Sequence, residues 1–342
     1  MLNRSTSRTR LRGLLAVGAI ASLSALGLAG CSGTSSGGAS DGTIGVALIV
    51  KTTTNPYFVA MEDAAKADAA KAGVKLTLAA GKKDGDAATQ IQAIEDSISR
   101  GDKGILITPT DSTVNSAIAK ARKAGLYVIA LDTAPDPANT VDITFATDNF
   151  AAGEQQGAYV KAALNGTPPK LLMVDGTAGT SVDTARHTGF LKGIGLTDSS
   201  PEIKGHTAAN GDQSLAQQGM ENLLQRTTDI NAVYSMNEPM GRGAYAALKA
   251  RGLTGQVVMG SIDGGCEGVQ NVKDGLFGAT VMQFPKKMAE QGVLAAVEYA
   301  KTGKKPSGFV DTGSAVISDK PMPGVESHDT AWGLQNCWGG TK

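Results

Sequence analysis

Ile44-Gly45-Val46-Ala47-Leu48-Ile49-Val50-Lys51-Thr52-Thr53-Thr54-Asn55-Pro56-Tyr57-Phe58 decides the fold. Residues 44–50 have the length and β-branched content of a strand buried on both faces. Residues 59–72 carry a helical pattern. The polar loop between them therefore sits at the carboxyl end of the first strand of an α/β unit, the edge at which open α/β sheets bind ligands. An amide beside two aromatics suits a small polyol, whose C–H face stacks while its hydroxyls hydrogen-bond. Taken alone, Tyr57 and Phe58 are more simply read as packing the helix start.

Working outward, short apolar runs keep alternating with helical patterns. Strand-like runs at 74–79, 104–108, 127–131 and 141–146 are separated by helical patterns at 87–100 and 114–123. A second series of similar size has helices at 153–164, 183–194, 213–225, 241–249 and 269–274. Its strands fall at 170–174, 202–206, 230–235, 256–261 and 278–282. A long helix, 285–302, follows, then strand-like pieces at 309–311 and 315–317 and a Pro- and Gly-punctuated tail. This alternation predicts parallel βαβ units with sheets covered on both faces, in two lobes.

The front of the chain reads as processing signal rather than fold. Arg4, Arg8, Arg10 and Arg12 make a basic start, and residues 14–28 are apolar, in signal-peptide proportions. The run ends in Leu28-Ala29-Gly30-Cys31, which resembles a bacterial lipobox with Cys31 as the lipidated residue. Residues 1–30 are thus expected to be a lipoprotein signal and 31–42, rich in Ser and Gly, a flexible tether. The folded part is expected outside the cytoplasm, lipid-anchored to the cell membrane.

Composition excludes some partners. Hydrophobic residues make up 41%, charged residues 19%, and the formal charge is zero. No basic excess is available to hold a nucleic-acid backbone. Cys266 and Cys337 form an even pair in an exported chain, read most simply as a disulfide, with two free buried thiols as the alternative. His187, His206 and His328 show no metal-ligand spacing, and no metal or other cofactor is expected.

Polar residues recur where strands stop: Asn55, Thr108, Asp132, Asn237, Asp263 and Gln283. Singly, each is a turn or helix-cap residue. Together they would ring a cleft between two lobes, where acids and amides bond adjacent hydroxyls.

The ordered set Thr54-Asn55-Pro56-Tyr57-Phe58, Ile107-Thr108-Pro109-Thr110-Asp111, Leu131-Asp132-Thr133, Ala146-Thr147-Asp148-Asn149, Arg186, Asn237, Asp263-Gly264-Gly265 and Gln283-Phe284-Pro285 resembles the ribose-type, or type I, periplasmic sugar-binding proteins of ABC importers. The resemblance spans residues 43–338. It implies two doubly wound parallel-sheet α/β lobes joined by a three-segment hinge, with a sugar trapped between them. The crossings would fall at Thr147-Asp148, Gln283-Phe284 and Asp311-Thr312. The N-terminal lobe would comprise 43–147 plus 284–311, and the C-terminal lobe 148–283 plus 312–342. The implied ligand residues are Asn55, Tyr57, Phe58, Thr108, Asp132, Arg186, Asn237, Asp263 and Gln283. The acids accept from hydroxyl pairs, Arg186 donates from its fork, and the aromatics cover an apolar sugar face. The implied partners are a monosaccharide and the importer's permease and ATPase subunits, with the binding protein itself a monomer.

The chain departs from the ribose pattern in three places. Thr108 stands where ribose binders usually carry Asn, Thr133 where they often carry Arg, and no aromatic is found near Asn210-Gly211-Asp212. Lys51 to Pro56, Ala80-Gly81-Lys82 with Asp84-Gly85-Asp86, Phe145 to Phe150, Arg186-His187, Gly264-Gly265-Cys266 and Asn336-Cys337-Trp338 look more like the fructose-type branch. Fructose is therefore the first expectation, ahead of ribose, xylose or a polyol.

Other classes fit less well. An enzyme would need a catalytic spacing or phosphate loop. Only Gly241-Arg242-Gly243-Ala244-Tyr245-Ala246 approaches a dinucleotide motif, and Asp263, its acidic partner, is claimed by the sugar site. A repressor of the lac type would carry an N-terminal helix-turn-helix where this chain has an export signal. A receptor serving a sensor kinase or chemoreceptor would use the same closed lobes.

Overall fold

The computed structural model describes residues 43–340. The proposed signal peptide, the tether and Cys31 lie outside the described residues.

The N-terminal sheet is built on β1 (Ile44–Val50), flanked in sequence by α1 (Pro56–Ala72), β2 (Val74–Ala80), α2 (Ala87–Arg100) and β3 (Gly104–Ile107). After α3 (Asn115–Lys123) come β4 (Tyr127–Leu131) and β5 (Ile143–Ala146). The second series runs α4 (Asn149–Ala163), β6 (Leu171–Asp175), α5 (Ser181–Ile194), β7 (Ile203–Ala208), α6 (Gln213–Leu224) and β8 (Ala232–Ser235). It continues with α7 (Glu238–Ala250), β9 (Val258–Asp263), α8 (Cys266–Lys273) and β10 (Ala279–Met282). The chain then returns through α9 (Pro285–Thr302) and β11 (Gly308–Asp311), and finishes with β12 (Ala315–Ile317) and α10 (Thr330–Asn336).

Two six-stranded sheets result, in the orders β11-β5-β4-β3-β1-β2 and β12-β10-β9-β8-β6-β7. Every pairing is parallel except that of β12 with β10, an antiparallel edge strand that the sequence pattern does not reveal. In each sheet the strand order reverses at an interior pair, β1/β3 and β6/β8, so each opens a crevice at its carboxyl edge.

β1 shows why its sequence is continuously apolar. Val46, Leu48 and Val50 pack into the core beneath α1 and α9, while Ala47 and Ile49 pack into the core on the opposite face with Ile94 and Ile118. Each large side chain so buried contributes roughly 1.5–3 kcal/mol. A polar residue on either face would lose that and go unpaired, so no alternation is permitted.

Several helices start earlier than periodicity predicts: α1 at Pro56, α4 at Asn149, α7 at Glu238 and α8 at Cys266. For the first three the reason is capping. Asn55, Asp148 and Asn237 accept from the N–H groups of Tyr57, Ala151 and Met240, so the helix begins directly after the polar residue.

The chain passes between the sheets three times: between β5 and α4, between β10 and α9, and between β11 and β12. Two crossings are knitted together: Thr312 N–H donates to Ala146 O (2.9 Å) and Asp148 N–H to Asp311 Oδ1 (3.1 Å). The tail departs from its expected place wholly in the C-terminal lobe. Trp338 pairs its backbone with Gly265 but buries its ring in the N-terminal core, edge-on to Tyr57 at 5.2 Å. Its indole N–H donates to Gln283 O, on a crossing segment (3.1 Å). Cys266 and Cys337 are joined in a disulfide with Cα atoms 4.9 Å apart, which fastens this tail to the start of α8.

Candidate functional site

The carboxyl ends of the two sheets face each other, and most of the polar strand-end residues meet there. Asn55 follows β1 and Asn237 follows β8. Each side-chain oxygen is committed to its helix cap, at 2.9 Å for Asn55 and 3.0 Å for Asn237. The cap uses only the oxygen of each amide and leaves its NH2 group uncommitted by the cap. A Cβ placed on Gly211 would lie 3.6 Å from Asn237 Nδ2, so the 210–212 turn closes directly over that donor.

Asp132 and Asp263 end β4 and β9, at corresponding places in the two sheets. Both have positive φ, 65° and 150°, unusual for a side chain with a Cβ. Such conformations cost on the order of 1–3 kcal/mol each and persist where surrounding structure holds them for use. Asp132 accepts from Thr133 Oγ1 at 2.7 Å. Asp263 Oδ1 accepts from Gln283 Nε2 at 3.1 Å, and Arg186 Nη1 stands 3.7 Å from the same oxygen. Asp263 Oδ2 and Gln283 Oε1 are buried with no hydrogen-bond partner. Two orphaned acceptors side by side call for a donor-bearing ligand, since leaving each unmade costs about 1–3 kcal/mol.

Arg186 is fixed from behind. It lies on α5, which packs unusually close to α4: a Cβ on Gly153 would fall 2.3 Å from Arg186 O, and one on Gly189 would fall 2.1 Å from Phe150 O. The guanidinium then donates through Nε to Asn149 Oδ1 (2.8 Å) and through Nη1 to Met236 O (2.9 Å). Asn149 in turn donates to Thr147 O at 3.2 Å and approaches Asp132 O at 3.5 Å, tying Arg186 to the first crossing. Asn149 is a site residue that the sequence reading quoted only within a hinge motif.

Glu238 is a second residue not foreseen. In the first turn of a helix it reads as an exposed charge favoured by the dipole. Instead it is buried, and its carboxylate accepts from Gly264 N–H (2.9 Å), Gly265 N–H (3.2 Å) and Thr280 Oγ1 (2.6 Å). It thereby holds the loop that carries Asp263. Gly268 makes the space, since a Cβ there would lie 1.8 Å from Glu238 Cδ. Burial pushes Glu238 up to about 8, with the Asp263 charge adding to the rise. Burial likewise pushes Asp263 up to about 6, with Arg186 opposing the rise and Asp132 adding to it.

The aromatics divide their work. Phe58 lines a cavity of about 180 Å³ between the lobes, together with Thr52, Thr54, Asn55, Asp84 and Asn210. A cavity of this size takes one small solute. A smaller pocket on the other side of Asn55 contains Asp263 and Trp338. Tyr57 does not present a face: its ring is enclosed edge-on by Phe58 and Trp338, and its hydroxyl donates to Met288 Sδ at 3.2 Å. Burial first, then the Asp132 charge, holds that phenol well above its ordinary value. Thr108 lines neither cavity; its hydroxyl accepts from Lys51 N–H at 2.8 Å and so shapes the 51–55 loop.

Asn55 and Phe58 line the larger cavity and Asp263 the smaller, while Asp132, Arg186, Asn237 and Gln283 line neither and stand packed behind them; together they offer amide and guanidinium donors, orphaned acceptors from an acid and an amide, and one aromatic wall. Buried carboxylates repel an anion, and Arg186 opposes a cation. A neutral polyhydroxylated molecule, each hydroxyl both donor and acceptor, fits this set. Gly241 and Gly243 form no phosphate loop: they lie within α7, where a Cβ would meet Phe277 at 2.9 Å and Gln213 O at 2.1 Å. They serve helix packing.

A family model described as a periplasmic binding protein domain matches residues 46–305. The ribose import binding protein of Haemophilus influenzae is 33% identical over 275 residues, covering 80% of this chain and 91% of that protein. The D-allose-binding periplasmic protein of Escherichia coli is 30% identical over 266 residues, 75% of this chain and 85% of that one. An ABC transporter solute-binding protein of Actinobacillus succinogenes, solved with bound D-allose, superposes with a TM-score of 0.73 at 26% identity, over 81% of this chain and 98% of that one.

Proposed function

The chain belongs to the periplasmic binding protein domain family, and from that premise we propose that it captures one neutral monosaccharide between its lobes and delivers it to the permease of an ABC importer. The observation that carries this reading is the pair of buried, unpartnered acceptors, Asp263 Oδ2 and Gln283 Oε1, beside the Arg186 fork. Relatives named for ribose and D-allose support the ligand class.

Closure follows from the division of contacts. Asn55, Phe58 and Asp132 come from one sheet; Arg186, Asn237 and Asp263 come from the other. A sugar touching both favours the closed form by its differential affinity for it. Water leaves as the lobes meet, so an epimer that leaves one buried group unpaired is rejected by the cost of that group. The permease would then dock on the closed pair of lobes, with ATP hydrolysis on its own subunits driving release.

Fructose is the sugar we favour. Support comes from Thr133 where ribose binders often carry Arg, and from the 210–212 turn, near which they carry an aromatic. Ribose is the second reading, favoured by the identity to ribose import binding proteins. We further assign the extracytoplasmic position to a lipid on Cys31, with the protein acting as a monomer. A thermal-shift screen across pentoses, hexoses and polyols tests the function: a concentration-dependent rise in Tm with a monosaccharide is expected, and no response to any of them contradicts it.

A further inference from the structure

Outside the sugar cleft, two of the three histidines converge on one carboxylate. His187 lies on α5 directly after Arg186, His206 lies on the edge strand β7, and Asp175 ends β6. His187 Nδ1 is 2.7 Å from Asp175 Oδ1, and His206 Nδ1 is 3.2 Å from Asp175 Oδ2. The two imidazoles stack at 5.9 Å with an interplanar angle of 18°. One ligand atom from each residue can be chosen so that all lie within 4.8 Å of one another.

We propose that Asp175, His187 and His206 form a binding site for a borderline divalent cation of the Zn2+ class. Two imidazole nitrogens and one carboxylate are the donor set that such ions prefer, with water completing the tetrahedron. Bonds of about 2.0–2.2 Å put tetrahedral ligand atoms roughly 3.4 Å apart, so the cluster needs only small side-chain adjustments. A metal ion here takes the place of any proton held between the imidazole Nδ1 atoms and Asp175.

One further feature supports a metal over a simple ion pair. His187 Nε2 is 2.7 Å from Asp198 Oδ1, the outer carboxylate that commonly orients a metal-bound imidazole. His206 is 41% exposed at its side chain, which leaves an entry path.

The placement gives the ion a job. It would tie α5 to the β6–β7 edge one residue from Arg186, so metal binding should stiffen the helix that aims the guanidinium into the cleft. This does not depend on which sugar binds, or on whether one does.

The test uses chelator-stripped full chain without a polyhistidine tag, titrated with Co2+ as a spectroscopic probe and with Zn2+ by calorimetry. One equivalent should bind, with the intense visible d–d absorption of a tetrahedral cobalt site, and Zn2+ should raise Tm. His206→Gln should abolish the cobalt band while circular dichroism stays unchanged. Asp198→Asn should weaken Zn2+ by about 10–100-fold. His328→Gln, whose imidazole stacks on Trp332 at 3.9 Å elsewhere in the fold, should bind as the parent does. Absence of stoichiometric binding, or binding that survives His206→Gln, overturns the assignment.

Discussion

Arg186 Nη1 stands 3.7 Å from Asp263 Oδ1, with both side chains buried at the meeting of the two lobes. The distance is too long for a hydrogen bond and short enough for strong attraction at low dielectric. Each group therefore keeps bonding capacity for a ligand while offsetting part of the other's desolvation cost. Arg186→Met should abolish measurable sugar binding and lower stability by about 3–5 kcal/mol, because Asp263 is left as an uncompensated buried charge. Chemical denaturation and calorimetry on the same variant check both; unchanged affinity removes Arg186 from the site.

The pH response separates folding from binding. Asp263 and Glu238 have folded values raised, by burial first, to about 6 and about 8 from ordinary values of 3.8 and 4.5. Through that window the folded chain holds protons that the unfolded chain has released, so ligand-free stability declines as pH rises. Binding follows the opposite sign: hydroxyls donate to the ionised Asp263, so affinity climbs as pH rises toward Asp263's value and levels off above it. Below that value affinity should fall by up to about tenfold per pH unit. Titrations at about pH 5 and about pH 7.5 should differ in this direction; a flat profile contradicts ionised Asp263 as an acceptor.

Glu238 positions Asp263 by holding the loop that follows it. Glu238→Gln puts an amide against the N–H groups of Gly264 and Gly265, two donors that need an acceptor. If one is left unsatisfied the cost is about 1–3 kcal/mol. Weaker sugar binding is expected, together with loss of the upper titration in the stability profile. A variant that binds as tightly as the parent shows that the loop is held by other means.

Trp338 should report closure. It is buried against Tyr57 in one lobe and anchored to Gly265 in the other, whereas Trp332 lies on α10 beside His328. Adding sugar should shift tryptophan emission to the blue, and Trp338→Phe should remove the shift. The same shift in the variant assigns the signal to Trp332.

The Cys266–Cys337 link closes a separation of 71 residues, for which chain entropy gives about 4 kcal/mol. Reduction should lower Tm and release the tail that carries Trp338. Thiol labelling of unreduced, denatured chain should find neither cysteine free; two labelled thiols contradict the bond.

The fold was legible because a strand covered on both faces admits few sequences, and 44–50 is one of them. Asn55 and Asn237 were legible as caps and as ligands, and the structure uses one end of each amide for the cap. Tyr57 and Thr108 were harder: whether a ring shows its face or its edge depends on Trp338, which arrives from the far end of the chain. Glu238 was hidden because its burial depends on the missing Cβ of Gly268, on a different helix. The Asp175, His187 and His206 cluster had no spacing to read, since strand pairing and the α5 docking alone bring it together.

Calorimetric titration of the purified chain against fructose, ribose, xylose, allose and a polyol tests the central claim most directly. Saturable one-to-one binding of a monosaccharide is expected, with fructose tightest, and its loss in Asp263→Ala with the fold intact. No binding by any pentose, hexose or polyol, or undiminished affinity in Asp263→Ala, would contradict it.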